Sequence, residues 1–111
     1  LAPRDEDVRR LEAWQRFVDA MKDFEGERYG AASGGLLDAG RGLPKLTYIP
    51  YAAALSQLRS GDNAAALATL RAARPGAPEA VRPYYLLLEG EALRASGKHK
   101  EAAEAFLQVA R

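Results

Sequence analysis

Three segments of the chain carry one small–bulky–small triplet: Ala32, Leu36 and Ala39, then Ala66, Leu70 and Ala73, then Ala102, Phe106 and Val109. Intervals of thirty-four and thirty-six residues are those of a helical repeat array. In such an array a single unit cannot bury its apolar face, and stacking on the next unit supplies the stability. The pattern predicts an all-α fold of about three antiparallel helix pairs, near residues 5–44, 46–78 and 79–111, forming one domain over residues 1–111. Arrays of this kind bind other molecules and rarely do chemistry.

The punctuation between these segments agrees with the repeat. Val8, Leu11, Trp14, Phe17, Val18, Met21 and Phe24 recur at three- and four-residue steps, the signature of one apolar stripe on a helix. Asp5, Glu6 and Asp7 stand at its start, where anions suit the helix dipole. Glu25-Gly26-Glu27 breaks the stripe, and a second helix is expected from about Arg28 to Gly40 despite the helix-weakening Gly30, Gly34 and Gly35. Thr47 is the expected cap of the third helix, with Pro50 in its first turn. Ser60-Gly61 should stop that helix with Gly61 left-handed, and Asp62 should cap the next. Pro75-Gly76-Ala77-Pro78 ends the fourth helix, the fifth begins between Glu79 and Tyr84, and Ser96-Gly97 repeats the stop before a sixth helix over Lys100 to Arg111. No segment alternates apolar and polar residues as a strand would.

Composition excludes several function classes. The chain has 111 residues, 48% of them hydrophobic and 28% charged, and a formal net charge of +1. That balance leaves no basic footprint for nucleic acid or an acidic bilayer. Its longest apolar run, Tyr84 to Leu88, is too short to span a membrane, so no direct insertion by this segment is expected. With no cysteine and a single histidine, His99, neither a disulfide nor a transition-metal site nor a nucleophile–base pair is expected. Packing or exposure is the reading for His99, and no cofactor is implied. Leu1 in place of Met, with no leader after it, reads as a mature or excised piece of a longer chain. An anchor upstream of residue 1 would leave no trace, and the compartment, bacterial cytoplasm or periplasm, stays open. The final helix has no polar capping helix after it, which points to further repeats, a following domain or self-association through uncapped terminal helices.

These residues resemble the tetratricopeptide repeat (TPR) family over nearly the whole chain. Ala54 and Gly90 match the small residue where the first helix of a pair meets its partner, Gly61 and Gly97 the turn glycine, and Pro44 and Pro78 the terminal proline. Tyr29 with Ala32, Leu36 and Ala39 matches the second helix, while Asn63 and His99 replace its aromatic in the later pairs. Ala53 and Glu89 depart from the family, standing where a Leu belongs. The resemblance implies a right-handed superhelical stack whose first helices line a concave groove. Carried over, the groove positions are Tyr48, Tyr51, Ala52, Leu55, Leu58 and Arg59, then Tyr84, Leu87, Leu88, Glu91, Arg94 and Ala95. Two readings of these side chains stand together: a groove for an apolar peptide or helix, or core against a neighbouring repeat. The Lys, Arg and Asn set with which chaperone-binding TPRs clamp a C-terminal carboxylate is missing. The wording of Leu93 to Phe106 is similar to TPR proteins of bacterial envelope or secretion-linked assemblies, which implies a non-catalytic module binding a partner protein. Tyr48 to Leu70 also resembles the helical part of soluble lytic transglycosylases, and the alternative is a superhelical segment of such an enzyme.

Overall fold

Three turns of the same construction set the architecture. In a computed structural model describing residues 4–111, the helices are α1 (Asp5–Glu25), α2 (Tyr29–Gly42), α3 (Ile49–Arg59), α4 (Asn63–Ala73), α5 (Arg82–Ala95) and α6 (His99–Ala110), with no strand among the described residues. Leu1 lies outside the described residues. After α1, α3 and α5 the chain passes through one left-handed residue: Glu27 at φ 62°, Gly61 at φ 88° and Gly97 at φ 81°. The next amide then reaches back into the helix, Arg28 to the Asp23 carbonyl, Asp62 to Gln57 and Lys98 to Leu93, at 2.8, 2.9 and 2.8 Å. The left-handed residues themselves donate to the carbonyls of Phe24, Leu58 and Arg94 at 3.0, 3.1 and 3.0 Å. This pair of bonds is the Schellman motif, which satisfies carbonyls that a helix end would leave unpaired. Glu27 thus holds, thirty-four residues before Gly61, the position that glycine takes in the later pairs.

Capping divides the expectations. The Asp62 carboxylate accepts the Ala65 N–H at 3.2 Å, as a cap should. Thr47 is not a cap: Tyr48 occupies that position in α3, without a side-chain bond to the helix. Pro50 and Pro83 both sit in first turns, where no amide partner is needed. A short 3-10 turn, Glu79–Val81, precedes α5, so that helix starts at Arg82.

Close approach of backbones explains two glycines of α2, Gly35 and Gly42. A Cβ on Gly35 would lie 2.9 Å from that of Ala20, and one on Gly42 would lie 2.5 Å from that of Ala13. These two contacts run in opposite senses along the helices, so α1 and α2 are antiparallel. Gly30 and Gly34 have nothing within 4 Å and serve no packing purpose. The contact also corrects the reading of α1. Its buried residues are Ala13 and Ala20, whereas Leu11, Trp14 and Val18 of the apolar stripe are exposed. At α5 and α6 the Phe106 ring occupies the space that a Cβ on Gly90 would need.

The core is shared stepwise along the chain. Ala13, Ala20, Leu36, Ile49 and Ala53 join α1, α2 and α3. Ala54, Leu70, Ala77, Tyr85 and Leu88 join α3, α4 and α5. Leu67, Ala92, Leu93, Ala102 and Ala105 join α4, α5 and α6. The resulting body measures 58 × 29 × 18 Å with a radius of gyration of 15.3 Å. A compact domain of this length would have a radius of about 13 Å. The chain is an elongated helical stack, and no helix among the described residues is long and apolar enough to cross a membrane.

Candidate partner-binding surface

Repeat spacing places an aromatic at one position in all three first helices. Trp14, Tyr48 and Tyr84 are separated by thirty-four and thirty-six residues, and they are 40%, 52% and 58% exposed. One turn further on stand Phe17, Tyr51 and Leu87 at the same intervals. Edge-to-face contacts connect three of them: Trp14 to Phe17 at 5.8 Å and Phe17 to Tyr48 at 6.1 Å between ring centroids. Tyr51 leans on Tyr85 at 5.6 Å. Two aromatic groups thus lie on these helices, Trp14–Phe17–Tyr48 and Tyr51–Tyr85, and Tyr48, Tyr51, Tyr84 and Tyr85 line one cleft.

Its centre is a cleft of about 360 Å³ between the N-terminal ends of α3 and α5, lined by Thr47, Tyr48, Tyr51, Val81, Tyr84 and Tyr85. The floor is fixed by Tyr85, whose ring is buried and whose hydroxyl donates to the Thr47 carbonyl at 2.7 Å. Burial pushes the Tyr85 phenol above its ordinary value, so it stays a neutral donor. A second cleft, of about 320 Å³, adjoins Trp14 and is walled by Arg10, Leu43, Pro44, Lys45 and Leu46. Aromatic side chains held on packed helices offer large contact area at low entropic cost, the profile of an anchor site for an apolar group.

The structure sorts the groove positions carried over from the family. Tyr48, Tyr51 and Tyr84 meet in the one cleft, and Leu87 is exposed one turn beyond Tyr84. Leu88 belongs to the core, packed with Ala54, Leu70 and Tyr85, and Leu55 and Leu58 are half-buried against the same cluster. Arg59 turns to the first pair, its guanidinium 5.3 Å from the Phe24 ring centre and 5.5 Å from that of Tyr29. Arg94 pairs with Glu91 at 2.6 Å on its own helix. Ala52 is half-buried and Ala95 exposed. Trp14, Phe17 and Tyr85 were not among the expected site residues. The first two follow from extending the thirty-four-residue interval back to α1.

Away from this surface one buried acid stands out. The Glu89 side chain, 4% exposed, accepts from Arg74 at 2.8 Å and lies 3.7 Å from Arg71. Burial raises its carboxyl above the ordinary range, against the opposing pull of Arg74 and Arg71. The cleft beside it is lined by Glu101, Glu104 and Gln108 among others. Among the described residues no group of three or more His, Cys, Asp or Glu side chains is placed to hold a metal ion, and His99 is exposed at the start of α6. Comparison with known protein families, with curated proteins and with solved structures returns no match to this chain.

Proposed function

We propose that this chain is a non-catalytic, TPR-like interaction module whose aromatic face on α1, α3 and α5 binds a peptide or helix of a partner protein, in a bacterial assembly. The observation that carries this reading is the exposed aromatic recurring at Trp14, Tyr48 and Tyr84 beside one apolar cleft. Water leaves such a surface at a gain, and rigid helical presentation limits the ordering cost of binding. A right-handed superhelical arrangement of the pairs belongs to the same proposal, supported by the three equivalent Schellman turns.

Panning a random peptide library displayed on phage against the whole chain tests it. The wild type should enrich a consensus, and the triple variant Tyr48→Ser, Tyr84→Ser, Leu87→Ser should enrich none while keeping its melting curve. All three side chains are more than a third exposed, so their replacement removes little core packing. Absence of a consensus, or one unchanged in the variant, would overturn the proposal.

A further inference from the structure

The two clefts on the aromatic face differ in charge. The tyrosine cleft is lined by Thr47, Tyr48, Tyr51, Val81, Tyr84 and Tyr85 and contains no ionisable acid or base of the carboxylate, Lys or Arg kind. Around Trp14 the neighbouring cleft has two cations, Arg10 and Lys45, and no carboxylate in its lining. Arg10 is held only loosely by Glu6, 3.8 Å away with both side chains largely in water, a pairing worth little and easily exchanged. Apolar walls from Leu43, Pro44 and Leu46 lower the local dielectric, so an incoming carboxylate would feel both cations more strongly than on open surface.

Resting on the proposed binding role of this face, we infer that its occupant is an extended acidic–apolar peptide segment. One large apolar side chain fills the cleft of Tyr48, Tyr51 and Tyr84, and an Asp or Glu side chain meets Arg10 and Lys45 beside Trp14. The two clefts are joined through the Trp14, Phe17 and Tyr48 rings, in contact at 5.8 and 6.1 Å, so one short peptide segment reaches both.

The test uses the peptides enriched by the wild-type chain, with the strongest one synthesised carrying a fluorescein label and titrated by anisotropy. Enriched sequences should share an Asp or Glu at a fixed short spacing from a large apolar residue. Changing that acid to Lys in the peptide should weaken binding on the order of tenfold, and the loss should shrink as salt is raised. The double variant Arg10→Glu, Lys45→Glu should lose affinity for the acidic peptide and gain it for the Lys-substituted one, with an unaltered melting curve. Enriched peptides without an acid, or affinities indifferent to both charge reversals, would overturn this inference and leave the binding role intact. Failure to enrich any consensus would overturn both. Sedimentation equilibrium showing a dimer that the Tyr48→Ser, Tyr84→Ser, Leu87→Ser variant abolishes would assign the face to a second copy of the chain instead.

Discussion

Single residues carry local costs that the surrounding fold imposes. Glu27 occupies a left-handed position that costs a side-chain-bearing residue about 1–2 kcal/mol relative to the right-handed one. Glycine fills that place at Gly61 and Gly97, so Glu27→Gly should raise stability by about 0.5–1 kcal/mol, read as a higher denaturant midpoint at constant slope. Glu89 is the second such residue. Because its folded-state carboxyl is raised, the folded chain binds more protons than the unfolded one between the ordinary glutamate value and the raised one. Stability from this group is therefore present in acid and lost as pH climbs through that window. The melting temperature of the wild type minus that of Glu89→Gln should grow on going from pH 7 toward pH 5, and a difference that shrank would contradict the assignment. Removing a partner should hurt more than removing the pair. Arg74→Ala leaves a buried carboxylate with only the more distant Arg71 and should cost about 3 kcal/mol, whereas Glu89→Leu, which removes the charge and keeps the bulk, should be near neutral.

At the scale of helices, packing overrides propensity in α2. Gly34 has open space around it while Gly35 abuts Ala20. Gly34→Ala should stabilise by about 1 kcal/mol from helix propensity alone. Gly35→Ala gains the same propensity but must push α1 away, and overpacking of this kind costs about 1–3 kcal/mol. Opposite signs from adjacent glycines, measured by thermal or urea melts, would establish the close α1–α2 approach; equal stabilisation would refute it. The same contrast shows what the sequence could and could not disclose. Turns at Gly61 and Gly97 and the cap at Asp62 were legible because their chemistry is local. The buried face of α1 was not, because Ala13 and Ala20 look featureless while the larger Leu11, Trp14 and Val18 dominate any hydrophobic pattern. Helix α1 carries more apolar surface than α2 covers, and Trp14, part of that surplus, lines a cleft with Leu43 and Leu46. Tyr84 and Tyr85 are adjacent and alike in the sequence, yet Tyr85 is buried and Tyr84 exposed. The Glu89–Arg74 pair bridges two helices and has no sequence signature of its own.

For the molecule as a whole, the three core clusters and the elongated body mean that stability is passed from neighbour to neighbour, while the aromatic face runs across all three pairs. Of the positions the resemblance assigned to a groove, Tyr48, Tyr51 and Tyr84 line one cleft, Leu88 is core and Arg59 lies against Phe24 and Tyr29. Interior demands and surface offerings alternate along one helix within a single turn, so a position list carried from a family mixes the two. The most direct measurement is an amide and indole NMR titration of the whole chain with an enriched peptide. Shifts should concentrate at the Trp14 indole, at residues 45–51 and at residues 81–87, with the exposed faces of α2, α4 and α6 quiet. Shifts centred on those three helices, with the Trp14 indole unmoved, would contradict it.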